Sequence, residues 1–104
     1  MTTIIEIGTT NYDEHILPIK IALSHLQTNC EITDGYSIGE PTSKFGWTFF
    51  QLLLKSNFHD NIEKIFSDMI QKYKGKKEEK LLKFLSDFFE LRGSKVKLKL
   101  IEYY

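Results

Sequence analysis

The sequence predicts an α/β protein of the α+β kind, in which a small sheet of three or four strands carries about four helices on one side. Two patterns predict this fold. Alternating apolar residues begin and end the chain, as in half-buried strands, and apolar residues recur at helical spacing between them. The chain has 104 residues, 41% of them hydrophobic and 27% charged, which is typical of one globular domain. We therefore expect residues 1–104 to form a single domain.

The first third of the chain is predicted to hold a strand, a helix and a second strand or hairpin. Residues 2–7 alternate around β-branched side chains, which favours a buried strand. Apolar residues then follow helical spacing over about 16–28, and Pro18 fits best in the first turn of that helix. Asp34-Gly35 divides the alternating residues 30–38 into two runs, which indicates a hairpin. A single strand ending in a loop is the alternative.

The stretch from Phe45 to Leu54 holds the only tryptophan and the densest run of large apolar side chains. As a helix, it places Thr48, Gln51 and Lys55 on one narrow polar strip and apolar groups on every other side. A helix of this kind must be covered on two sides, so we expect it to be the most buried helix. A strand over the same residues is the alternative, which the polar strip disfavours. The expected core residues of this helix are Trp47, Phe50, Leu53 and Leu54.

Helix signals surround and follow this stretch. Thr42 or Ser43 can cap the central helix, because both hydroxyl residues come just before it. Asp60 and Glu63 resemble a capping box, and apolar residues at helical spacing follow them as far as Gly75. The sequence therefore predicts a helix that begins near residue 60 and ends at that glycine.

The last two elements are predicted from equally regular patterns. A helix should begin at about Lys77 and end at Gly93. Lysine and apolar residues alternate strictly over 95–100, which predicts a strand with one face toward the core and one toward water.

Charge is balanced over the whole chain but is unevenly distributed. The formal net charge is zero, yet residues 1–52 carry two lysines against six acidic residues, and residues 53–104 carry twelve basic residues against eight acidic ones. Such asymmetry can steer a charged partner. No apolar run is long enough for a transmembrane helix, no secretory signal is visible, and one cysteine allows no internal disulfide. We therefore expect a cytoplasmic protein.

Candidate catalytic and metal-binding residues are few. The three histidines, His15, His25 and His59, do not lie at the helical spacing of zinc ligands. Cys30 lies in an apolar context that favours a buried structural thiol over a nucleophile. We therefore predict no catalytic residue, no metal site and no cofactor, and we expect that the protein is not an enzyme. An enzyme would require His25, Cys30 or His59 to converge in a pocket.

The order of elements, with a Pro and Gly loop at residues 39–46 before a helical section, resembles that of bacterial effector-associated constant component domains. The pieces that match are Thr3–Ile7, Ile16–Leu26, Cys30–Thr33, Pro41–Gly46 and Lys95–Leu100. Domains of that group belong to bacterial conflict systems and are thought to act as non-catalytic interaction modules. The resemblance implies that kind of function and assigns no site residue.

The function predicted from these observations is a non-catalytic protein-binding domain of a bacterial conflict system, such as an immunity or inhibitor protein or an adaptor that binds a toxin or effector. Acidic residues in loops would meet the basic cleft of a toxin, with two tyrosines as aromatic anchors. The alternatives are a small nucleic-acid-binding domain, for which Lys95, Lys97 and Lys99 would form a basic strand face, and a homodimerising domain. A Cys/His-dependent enzyme ranks below them, and no membrane association is expected. The predicted partner-binding residues are Tyr12, Asp13, Glu14, Asp34, Tyr36 and Glu40.

Overall fold

A computed structural model describes residues 2–103 and confirms the α+β fold, with five antiparallel strands and four helices in that range. The sheet thus has more strands than the three or four predicted. The described helices include none with the length and apolarity needed to cross a membrane. The strands are β1 (Thr2–Thr9), β2 (Tyr36–Ile38), β3 (Thr42–Lys44), β4 (Trp47–Lys55) and β5 (Lys97–Tyr103), and the helices are α1 (Tyr12–Cys30), α2 (Ser56–Ile65), α3 (Ser67–Ile70) and α4 (Lys77–Glu90).

The strand order is β2-β4-β1-β5, and β3 also pairs with β4. Because β1 occupies one edge of β4, the short strands β2 and β3 must follow each other along its other edge. The two central strands, β1 and β4, pair over their lengths, from Thr2 opposite Lys55 to Thr9 opposite Thr48. If β2 and β3 count as one interrupted strand, this connectivity is that of the ferredoxin-like split βαβ fold.

The core lies between one face of the sheet and the helices. Alternate residues of a strand point to opposite faces, and the buried residues Ile5 and Ile7 of β1 lie opposite the buried Leu52 and Phe50 of β4. The helices cover this face with large apolar side chains that are fully buried. These residues include Ile19, Leu23, Leu26, Phe58, Ile62, Leu81, Phe84, Leu85 and Phe89.

The helix predicted over residues 45–54 is wrong, because this stretch forms β4, the long central strand next to β1. Both edges of this strand are covered, by β1 on one side and by β2 and β3 on the other, but only one of its two side-chain faces is buried. Phe50 and Leu54 are buried as predicted. Trp47 and Leu53 are only half-buried, since they point to the opposite face. Phe45 and Gly46 both have positive φ, 53° and 80°, as two-residue hairpin turns of type I′ require.

The caps and the hairpin predicted before this strand are also wrong. Thr42 and Ser43 belong to β3 and cap no helix. Cys30 is the last residue of α1, which ends at Glu31 in a left-handed conformation with φ 55°. The backbone N–H of Gly35 then donates a 2.7 Å hydrogen bond to Gln27 Oε1. That bond holds residues 31–35 as a connection from helix to strand, so Asp34-Gly35 turns no hairpin.

The first helix is longer at both ends than the predicted range of 16–28. Asn11 caps it, because its side-chain oxygen accepts a 3.3 Å hydrogen bond from Glu14 N and its amide nitrogen donates to Glu14 Oε2 at 2.6 Å. Pro18 consequently lies in the second turn and not in the first.

The later elements agree with prediction in part. The helix predicted from residue 60 begins earlier, at Ser56, and is interrupted at Phe66, after which the short α3 ends well before Gly75. The helix from Lys77 is confirmed, although it ends at Glu90 and not at Gly93. The alternating strand is confirmed too, although its pairing begins two residues later than the pattern, at Lys97.

Candidate functional site

The face of the sheet that points away from the helices is open to solvent. It carries the strand residues that alternate with the core residues, so their positions follow from the register. Across the two central strands and β5, one row holds Phe49, Gly8 and Lys97, and the next holds Gln51, Glu6 and Lys99. We call this surface the open face. Its described residues on β1, β3, β4 and β5 include Ile4, Glu6, Gly8, Thr42, Lys44, Trp47, Phe49, Gln51, Leu53, Lys97 and Lys99.

Two aromatic rings lie over a glycine at one end of the open face. Trp47 and Phe49 have ring centroids 6.3 Å apart and ring planes only 17° from parallel. Both side chains are half-buried, and Gly8 beneath them is buried. A Cβ at Gly8 would lie 3.0 Å from Phe49 Cε1 and 3.6 Å from Trp47 Cε3. Because position 8 has no side chain, both rings can pack directly on the backbone of β1, and each ring keeps part of its surface exposed to water.

Exposed lysines surround this aromatic pair. Lys97 Nζ lies 5.2 Å from the centroid of the Trp47 ring, within the range of a cation–π interaction. Lys99 lies one row further along the same strand, and Lys44 is paired with Trp47 in the β3–β4 hairpin. Glu6 is the acidic residue in the adjoining row. Positive charge is thus concentrated at this end of the open face, although the chain as a whole is neutral.

The tip of the β3–β4 hairpin adds a third aromatic ring. Phe45 is 91% exposed, and Lys44 Nζ lies 5.6 Å from its ring centroid. Its φ of 53° is unusual for a bulky residue, because the Cβ crowds the backbone in the left-handed region. The exposed ring buries little apolar surface that could offset this strain.

The predicted partner-binding residues do not form one cluster. Asp13 and Glu14 are exposed in the first turn of α1, beyond the Thr9 end of β1. Asp34 lies near the opposite end of the sheet, because the next residue, Gly35, accepts a hydrogen bond from Lys55 N. An eight-residue strand separates these two ends, which is about 25 Å.

The two predicted tyrosine anchors pack inward. Tyr12 meets Phe50 edge-on at 5.3 Å, and Tyr36 packs at 6.5 Å on Phe58. Glu40 is exposed near the middle of the β2–β3 edge. Whether any of these six residues binds a partner stays a prediction.

The residues named for a Cys/His enzyme occupy different environments. His25 is exposed on the outer side of α1, whereas Cys30 and His59 are buried. Burial raises the pKa of the Cys30 thiol, which disfavours the reactive thiolate. Within residues 2–103 no group of three or more His, Cys, Asp or Glu side chains is placed to hold a metal ion.

A buried polar chain ties α2 to β1. Thr3 Oγ1 shares a 2.5 Å hydrogen bond with His59 Nδ1, and His59 Nε2 lies 2.8 Å from Glu63 Oε1. A hydroxyl, an imidazole and a carboxylate in this order resemble the parts of a nucleophilic triad. Thr3 is only 2% exposed, however, and His59 only 3%. A substrate has no access to the hydroxyl, so we assign these three hydrogen-bonded side chains a structural role.

Sequence reasoning missed the aromatic part of the open face because it assigned Trp47 and Phe49 to a helix. Two signals could have found it. Phe45-Gly46 lies between the short run of β3 and the long apolar run, as a two-residue hairpin turn does. From Phe49 on, the outward residues also alternate with Phe50 and Leu52, which belong to the core. Lys97 and Lys99, in contrast, were identified correctly as belonging to one exposed strand face.

No protein-family model, curated protein or solved structure matches this chain. The candidate site therefore depends on the geometry and chemistry of its own residues.

Proposed function

We propose that this protein is a non-catalytic binding domain that holds a negatively charged partner against the open face of its sheet. The observation that carries the proposal is the Trp47–Phe49 pair, two large rings left partly in water on a face that the described helices leave open. Partly exposed aromatic groups are frequent anchors of binding surfaces. Lys44, Lys97 and Lys99 around the pair favour a partner of opposite charge.

The setting that we propose is a bacterial conflict system, in which the domain serves as an adaptor or inhibitor. The setting is carried over from the resemblance in layout to effector-associated constant component domains. In that layout the first strand, the first helix and the last strand keep the predicted kind of element, whereas Cys30–Thr33 lies at the end of α1 and Pro41–Gly46 leads into β4 instead of a helix. The acidic loops are the weaker candidate for the binding surface. A partner that used both Asp13 and Asp34 would have to reach across the length of the sheet.

Site-specific photo-crosslinking in the native host tests the proposed surface. A benzophenone amino acid replaces Gln51, which is exposed on the open face next to the aromatic pair. The matched control carries the same group in place of Leu91, which is 84% exposed just beyond the end of α4. We expect a crosslinked product from position 51 and none from position 91. Crosslinks from position 91 alone, or from neither position, would contradict the proposal.

A further inference from the structure

We propose that the partner held on the open face is a single-stranded nucleic acid. This inference rests on the proposed function, because it names the chemistry of the partner for the same surface. Three features carry it: a pair of stacked rings, lysines on the strands to either side of the rings, and a strained aromatic residue at the hairpin tip.

The aromatic pair provides two stacking positions. Every nucleobase has a flat π-face, and single-stranded nucleic acids bind proteins largely by stacking their bases on aromatic side chains. The Trp47 and Phe49 rings are nearly parallel and 6.3 Å apart on successive outward positions of one strand, so they can each receive a base. RNA-binding domains with a four-stranded sheet also stack two or three bases on aromatic residues of the sheet. That analogy concerns only the chemistry of the surface.

The lysines are placed where the backbone of a stacked strand would run. Lys97 Nζ lies 5.2 Å from the Trp47 ring, so a phosphate bound by this ammonium group would keep its base beside the ring. Lys99 and Lys44 lie on either side of the pair, on β5 and β3. Lysine binds phosphate as a point charge and does not read bases as arginine does. We therefore expect little sequence preference.

The hairpin turn supports binding over folding as the reason for Phe45. Asn-Gly is the favoured pair for a type I′ turn, since asparagine tolerates positive φ. Phenylalanine at this position is strained and leaves 91% of its surface exposed. An exposed ring beside the Lys44 ammonium, 5.6 Å away, extends the aromatic and basic surface beyond Trp47.

A purely structural reading of the pair is the main rival. Trp47 and Phe49 could simply shield the backbone at Gly8, a known use of aromatic residues across from a strand glycine. This reading explains the contacts with Gly8, but it does not account for the lysines around the pair or for Phe45. It also predicts that nucleic acid does not bind.

The first measurement titrates the full chain with fluorescein-labelled 12-nucleotide single strands of mixed sequence, one of RNA and one of DNA, and follows anisotropy. The same titration with an unlabelled strand should quench the emission of the single tryptophan, because Trp47 stacks on a base. Three lysine–phosphate contacts predict a slope of about −2 for log K against log salt. Affinity should thus fall about 20-fold between 50 and 200 mM salt. Comparison of the two strands distinguishes RNA from DNA as the preferred ligand.

Variants separate binding from folding. Phe49→Leu keeps an apolar side chain over Gly8 but removes the ring, and it should weaken binding at least about fivefold. Phe45→Asn relieves the strained turn, so it should weaken binding while the melting temperature stays level or rises. Lys97→Gln with Lys99→Gln should make the salt slope about 1.4 less steep. The control with equal loss of charge, Lys72→Gln with Lys76→Gln between α3 and α4, should leave the slope unchanged.

The outcomes distinguish this inference from the proposed function. Binding with tryptophan quenching and the expected response to the variants supports the inference. If neither strand binds, or if the control lysines matter as much as Lys97 and Lys99, the inference is wrong. Should position 51 then still crosslink to a protein, or to a second copy of the chain, the open face remains a binding surface and only the nucleic acid is excluded. If position 51 also fails to crosslink, both proposals fall.

Discussion

Truncation of Phe50 to alanine tests which alternate residues of β4 face the core and which lie on the open face. Phe50 is 2% exposed, lies opposite Ile7 on β1 and meets Tyr12 edge-on at 5.3 Å. Alanine at this position removes a fully buried ring and leaves a cavity that the rigid sheet closes only partly. Truncations of this kind cost about 3–5 kcal/mol, a large share of the roughly 5–15 kcal/mol that stabilise an ordinary domain.

Thermal unfolding followed by circular dichroism measures this effect. For a chain of this size, an unfolding entropy of about 2 cal/mol/K per residue converts the loss into a fall of about 15–25 °C in melting temperature. The control is Phe45→Ala, which removes the same ring from a position that is 91% exposed and should change the melting temperature by about 2 °C or less. If Phe50→Ala melts within 5 °C of the parent, or if Phe45→Ala is equally destabilised, the division of β4 into a buried and an open face is wrong.

Three further predictions concern single positions. Gly8→Ala places a methyl group 3.0 Å from the ring of Phe49, so the rings must shift and the tryptophan emission spectrum should change. An unchanged spectrum would show that the rings do not pack on this glycine. The hydrogen bond from Tyr73 to Asp87, with a smaller contribution from burial, raises the pKa of Tyr73 to about 12. Because the folded state holds this proton more tightly, the free energy of unfolding should fall as pH rises from about 10 through 12. Asp87→Asn should lower the pKa of Tyr73 measured by ultraviolet titration. Cys30 is 6% exposed and its pKa is raised by burial. We therefore expect it to react slowly with a thiol reagent in the native protein and fast in urea. Rapid labelling of the native protein would contradict the buried position of Cys30.

Local pattern was sufficient for the elements whose two sides differ. In α4 the buried residues Leu81, Phe84 and Leu85 recur at helical spacing between charged ones. In the last strand lysines alternate with apolar residues. For such segments one periodicity satisfies both burial and solvation, so the prediction needs no knowledge of neighbouring elements.

Pattern failed for β4 because both of its faces are apolar. Whether residues 47–54 form a helix or a strand, they have more apolar side chains than one face can hold. The two polar residues, Thr48 and Gln51, also fit one strip of a helix by chance. The positive φ of Phe45 was hidden as well, since a turn of type I′ seldom has phenylalanine at that position. Cys30–Thr33 was misread for a related reason: its alternation is short, and Glu31 caps the end of a helix that begins at Tyr12.

The sequence by itself determined the fold class, the last helix and the basic, solvent-facing side of the final strand. Only the tertiary structure decided that Trp47, Phe49 and Lys97 share one surface. Antiparallel pairing with β1 selects the strand over the helix, and the register places Phe49 over Gly8 and beside Lys97. The side of that strand that stays open is the one on which none of the described helices packs. The register decides which residues point to that side, since a shift of one residue would exchange the buried and open faces. Those pairings join residues about forty to ninety positions apart, beyond the range of any local pattern.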